Sequence, residues 1–213
     1  MSSDTEFISQ LKNVFHSLTE LYLVEKFGSE EAESIFHQYL TSFEGYYEKN
    51  LSFMPDDLSK RHGINSVFVL AYTEALTSEE LSIETLEEDI ISIYRVMLKQ
   101  MLEQQVASME HSDNPWELFV TRSKTGNKQQ YENDYFRAEI VQDDSICFAI
   151  DIHRCLYFEI LEANGHPEYG PILCTFDHLI ADAVNKWVTF DRKETIADGN
   201  KRCTFRYHPK KKY

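Results

Sequence analysis

The spacing of apolar and polar positions changes character about halfway along the chain. Phe7, Leu11, Val14, Phe15, Leu18, Leu21 and Tyr22 recur at the three-and-four spacing of one helix face, and Gly28 ends the run. Ser3 and Glu6 make a capping-box pair ahead of it. A second helix is expected from Ser29, which can cap it. Glu30 and Glu31 sit in its first turn, where the helix dipole favours acids, and Ile35, Phe36, Tyr39, Leu40 and Phe43 form its apolar stripe. Pro55 to Gly63 reads as a linker, Asn65 to Leu76 as a shorter apolar helix, and Ile83 to about Met109 as a long one. In the last, Ile83, Leu86, Ile90, Tyr94, Met97 and Met101 keep the helical period.

After Asp113-Asn114-Pro115, period-two and continuously apolar segments take over. Tyr135 to Val141 and Ile146 to Ile152, separated by Gln142-Asp143-Asp144-Ser145, predict a β-hairpin whose second strand is apolar enough to be central. His153 to about Asn164 reads as a helix stopped by Gly165, and Pro171 to Ala183 as another. Trp187 to about Thr195 and Arg202 to Tyr207 then read as closing strands joined at Asp198-Gly199-Asn200. In the last strand Cys203, Phe205 and Tyr207 alternate with Arg202, Thr204 and Arg206, so one face is buried and the other polar; from His208 onward the chain reads as a frayed end. The expected fold is α+β: an N-terminal helical bundle packed on a small, mostly antiparallel sheet formed by the C-terminal half. A single domain over 1–213 is expected, with 1–112 helical and 113–213 carrying the chemistry.

Composition narrows the class further. With 42% hydrophobic and 27% charged residues in 213, the chain buries a core, which excludes disordered, collagenous and low-complexity classes. The net charge of −15 repels a phosphate backbone and argues against nucleic-acid binding. Residues 1–100 carry 18 acids against 7 bases, so the acidity is mainly that of a solvated helical surface. No apolar stretch approaches the roughly 18 residues of a membrane span, and Met1 to Glu6 lack the start of a signal peptide; a soluble, cytoplasmic protein with no membrane partner is expected. The four cysteines, Cys147, Cys155, Cys174 and Cys203, all follow residue 146, and thiols rather than disulfides are expected.

Candidate chemistry gathers between His153 and Phe205: Arg154-Cys155, Gly165-His-Pro-Glu168, Cys174-Thr-Phe-Asp177-His178, Arg192-Lys-Glu-Thr195 and Gly199-Asn200-Lys-Arg-Cys203-Thr-Phe205. This series resembles that of the L-2-amino-thiazoline-4-carboxylic acid hydrolase family. The family has a strand running into a cysteine-led helix, a Gly-x-Pro-Glu turn, a Cys-x-x-Asp element, an Arg-x-x-Thr strand and a Gly-Asp-x-x-Cys-x-Phe closing strand. The resemblance covers roughly the last 70 residues, with Asn200 and Thr204 at positions where the family usually has Asp. The element order also resembles small-molecule-binding domains of the 4-vinyl-reductase type, in architecture alone.

The family resemblance implies hydrolysis of a cyclic amidine, thiazoline or related carbon-nitrogen bond in a small amino-acid-derived molecule. Such chemistry needs an attacking base or nucleophile, a proton donor for the leaving atom and a cation for the ring carboxylate. The catalytic candidates are Cys155 or Cys174 as thiolate, Asp177 as base or amidinium partner, and His178 as proton shuttle. Arg154, Glu168, Arg192 and Thr195 are candidates for binding substrate, Arg154 or Arg192 as carboxylate clamp. The structural alternatives are core packing for the cysteines, a helix-surface pair for Asp177 and His178, a helix cap for Glu168 and a turn for Asp198-Gly199. His153, Cys155, Cys174, Asp177 and His178 include metal-ligand types without a diagnostic spacing, so no metal and no cofactor are expected. A non-catalytic ligand-binding or sensor domain is the leading alternative, and an assembly subunit with a large apolar dimer patch is a third class; a homodimer is left open.

Overall fold

The computed structural model describes the backbone of residues 3–210 and the side chains of residues 6–210. Among these, seven α-helices and four strands are formed: α1 (Ser3–Phe27), α2 (Ser29–Lys49), α3 (Asp57–Ala75), α4 (Ile83–Glu110), α5 (Pro115–Gln130), β1 (Ala138–Asp143), β2 (Phe148–Ile152), α6 (Leu156–Ala163), α7 (Gly170–Ala183), β3 (Val188–Asp191) and β4 (Cys203–Pro209). The class is α+β, as expected. No described helix is long and apolar enough to cross a membrane. The chain separates into two compact units, each made of two stretches: Met1–Met97 with Leu156–Leu173, and Leu98–Cys155 with Cys174–Tyr213.

In the helical unit the apolar stripes meet as aromatic pairs. Phe15 stacks on Phe68 with ring centroids 4.6 Å apart, and Tyr94 meets both edge-on. Gly28, at φ +80°, separates α1 from α2; Ser29 is already inside α2 and gives it no side-chain cap. The Ser3–Glu6 cap lies outside the described side chains. α3 starts at Asp57, inside the segment expected to be a linker, because a capping box closes its first turn. The Ser59 N–H donates to Asp56 Oδ1 at 2.8 Å and the Asp56 N–H to Ser59 Oγ at 3.1 Å. Gly63 is required by close approach, since a Cβ there would lie 2.3 Å from Met54 Sδ and 2.9 Å from Ile160 Cδ1. Asp89 is buried on α4 and accepts from Tyr22 Oη (2.7 Å), Lys26 Nζ (2.6 Å) and Tyr72 Oη (3.0 Å).

In the second unit the four strands form an antiparallel sheet in the order β1-β2-β4-β3. One face carries Phe148, Ile150, Val188, Phe205 and Tyr207, packed with Met109, Phe119, Val120 and Val184. On the other, the buried Asp151 pairs with Arg202 at 2.8 Å and Arg206 at 2.7 Å. α5 overturns the expectation of period-two structure immediately after Pro115. Its N-cap Asn114 accepts from the Glu117 N–H, Pro115 occupies the first turn, and only Pro115, Phe119, Val120 and Asn127 are buried, so its apolar stripe is thin. The hairpin turn shifts toward β2 because the Asp144 carboxylate accepts from the N–H groups of Ile146 and Cys147, both at 2.9 Å, leaving Gln142 and Asp143 in β1. β1 carries a bulge between Ile140 and Gln142. β4 runs on through His208 and Pro209, which pair with Thr189 and Val188 instead of fraying; the tail beyond Lys210 lies outside the described residues.

Candidate functional site

The local folding of α7, β3 and β4 places the site. Cys174, Asp177 and His178 occupy consecutive turns of α7, and Arg192 follows β3 directly, where the strand ends and the chain enters the turn toward β4. That turn is held by Thr195, whose hydroxyl donates to Asp198 Oδ2 at 2.7 Å and accepts from the Asp198 N–H at 3.1 Å. Asn200 donates to the Thr195 carbonyl through both its backbone and its side chain, and Gly199 adopts φ +83°. The Glu194 N–H then donates to Thr204 Oγ1, and the Thr204 N–H to the Glu194 carbonyl, fixing the turn to β4.

Arg192 is the centre of the arrangement. Only 6% of its side chain is exposed. One end of its guanidinium pairs with the Asp177 carboxylate and the other donates to the Cys174 carbonyl at 2.9 Å. Its cation lies 5.5 Å from the Phe205 ring centroid and 5.8 Å from that of Phe190, so apolar rings replace water around the rest of it. Asp177 keeps 32% of its side chain exposed. The carboxylate therefore has a closed, charged side and an open one. Burial pushes its pKa up, to about 6, against the downward pull of Arg192. The exposed His178 packs edge-on against Phe190 at 5.2 Å, and partial burial together with Arg192 lowers its pKa, so its imidazole is neutral at pH 7.

The thiols are in a different state. Burial pushes Cys174 up to about 12; Arg192 opposes this, while Asp177, Cys203 and Asp198 add to it. Cys203 is also raised by burial, although its sulfur accepts the Ile196 N–H at 3.2 Å, and Cys147 is raised by burial and by Asp144. No disulfide joins the four cysteines.

Of the residues singled out from the sequence, Arg192 contacts both Asp177 and the backbone carbonyl of Cys174, His178 packs on the ring next to Arg192, and Thr195 anchors the adjoining turn. Arg154 is engaged elsewhere in the same unit, donating to the Asp134 carbonyl at 2.7 Å while its backbone N–H donates to Phe136. Cys155 is half-buried in the connection after β2. Glu168 belongs to the helical unit, where its carboxylate is exposed and meets His166 at 3.0 Å. His153 approaches Glu139 at 3.5 Å. Among the described residues, no group of three or more His, Cys, Asp and Glu side chains is arranged to hold a metal ion. Phe190 is not among the residues singled out from the sequence; the signal available is its apolar position between Thr189 and Asp191, in the strand that leads into Arg192.

No curated protein and no solved structure gives a significant match to the chain. The family described as L-2-amino-thiazoline-4-carboxylic acid hydrolase matches residues 61–207, well beyond the C-terminal stretch that carries the motif resemblance. Since that match covers most of the 213 residues and contains the whole Asp177–Arg192 arrangement, the chain belongs to the L-2-amino-thiazoline-4-carboxylic acid hydrolase family.

Proposed function

We propose that the protein is a hydrolase that opens a cyclic amidine of the 2-aminothiazoline kind, using Asp177 as general base and water as nucleophile. The observation that carries this reading is the state of Asp177, a carboxylate with one side against a buried guanidinium and the other open to solvent, and a pKa raised to about 6. A base of that strength is ionised at neutral pH and yet basic enough to share a proton in the transition state. Water adds to the amidine carbon as Asp177 takes its proton. A ring bond at that carbon then breaks, and the leaving atom receives a proton from Asp177 or through His178, whose neutral imidazole can relay it. One water is consumed and one carbonyl is formed.

Cys174 enters the reading as a protonated thiol. Raised to about 12, it is a poor source of thiolate at neutral pH, which favours water over sulfur as nucleophile. The test is to incubate the purified protein with L-2-amino-thiazoline-4-carboxylate and follow ring opening by the release of a thiol or an amine, the two outcomes reporting which ring bond breaks. Opening by the wild type and its loss in Asp177→Asn is the expected result. Binding without opening would favour a ligand-binding domain instead.

A further inference from the structure

We propose that Arg192 is a positioning residue, acting through Asp177 rather than clamping the substrate carboxylate. The inference rests on the hydrolase reading for its kinetic part, and on geometry alone for the rest. A guanidinium has five N–H donors in a fixed fork, and it recognises a ligand carboxylate bidentately when one edge of that fork faces outward. In Arg192 one end is committed to Asp177, the other donates to the Cys174 carbonyl one helical turn earlier, and almost none of the side chain reaches solvent. Phe190 and Phe205 flank the cation. The fork thus ties the first residue beyond β3 to two points on α7 and fixes the direction in which the Asp177 carboxylate presents its open side. A lysine retains the charge at this position but cannot hold both partners as a planar fork.

An opposite charge in contact favours the ionised carboxylate, so removing it raises the Asp177 midpoint. Carbon-13 NMR titration of the Asp177 side-chain carboxyl, in the wild type, Arg192→Gln and Arg192→Lys, reads this without any substrate. The expected result is a midpoint about one to three pH units higher in Arg192→Gln and largely restored in Arg192→Lys. An unchanged midpoint in a folded Arg192→Gln overturns the proposal, and if that variant does not fold, Arg192→Lys decides through kinetics.

The kinetic arm compares L-2-amino-thiazoline-4-carboxylate with 2-aminothiazoline, which lacks the carboxylate. A positioning role lowers kcat for both compounds by the same factor in Arg192→Lys and leaves the ratio of their KM values unchanged. A loss confined to the carboxylate-bearing compound and expressed in KM identifies a clamp and overturns the proposal. Failure of the wild type to open either compound sinks the hydrolase reading but leaves the NMR comparison intact, so the two failures are told apart.

Discussion

Asp89 in the helical unit and Asp177 in the sheet unit are both carboxylates held by a cation, yet the surroundings divide their roles. Asp89 accepts from Lys26, Tyr22 and Tyr72. Burial and this carboxylate raise the Tyr22 phenol to about 12 and push Tyr72 up as well, so both hydroxyls remain donors at any physiological pH. The lone pairs of Asp89 are filled from three directions and its side chain is almost wholly covered, which suits a structural keystone joining α1, α3 and α4. Asp177 has a single cationic partner and an open side. A buried carboxylate whose acceptor capacity is filled by its own protein holds the fold, whereas one left partly unfilled beside a fixed cation can take a proton from something else. Asp151 is covered like Asp89 and ion-paired to both Arg202 and Arg206, but its buried Oδ1 receives no hydrogen bond, so its acceptor capacity is not filled as that of Asp89 is.

The largest expected effect separates the two carboxylates by activity. Asp177→Asn should lower kcat by about 10²- to 10⁴-fold per folded molecule, the usual contribution of a general base, as read by steady-state ring-opening assays. Comparable turnover in this variant would place the base elsewhere. Asp89→Asn should do the reverse: unfolding in urea should show a loss of about 2–4 kcal/mol, because the substitution leaves Lys26 without its counter-charge, while activity per folded molecule stays at the wild-type level. Gly63→Ala probes the same unit without touching charge. Its new methyl group would meet Met54 and Ile160, and thermal melts should report a cost of about 1–3 kcal/mol through overpacking. The smallest effect belongs to Cys174→Ser, which should change kcat by less than about threefold once corrected for the folded fraction, since a thiol held protonated supplies no attacking sulfur. A loss of several orders of magnitude there would restore the thiolate mechanism and remove the contrast on which Asp177 rests.

What could be read in the sequence follows the strength of each local signal. The helices α1, α2, α6 and α7 announce themselves by unbroken stripes and by stops such as Gly28 and Gly165, both at positive φ. α5 does not, because Thr121, Ser123, Thr125 and Gly126 dilute its propensity and its buried positions are few; Asn114 and Pro115, which start it, also read as a turn. The start of α3 hides for a related reason, Asp56 and Ser59 being at once loop formers and a reciprocal cap. At the site, residue types and spacing single out Asp177 and Arg192, but their contact depends on the length of the β3–β4 turn and on α7 lying over the sheet face that carries Phe190 and Phe205. Asp89 and Asp151 had a readable signal too, an acid within an otherwise buried run, Leu86-Asp89-Ile93 on the helix and Phe148-Ala149-Ile150-Asp151 on the strand.

The pH dependence of ring opening bears most directly on the claim that Asp177 is the base. Its pKa is raised, and on the proposed reading the ionised form is the active one, so activity should be present above the midpoint and be lost as pH falls through it. The account predicts that kcat/KM for L-2-amino-thiazoline-4-carboxylate rises with pH along an acid limb centred near 6 and is then level through neutral pH, and that this limb is absent from the residual rate of Asp177→Asn. A profile that remains low through neutral pH and rises only in the alkaline range, toward the ionisation of a buried thiol such as Cys174 at about 12, would contradict it.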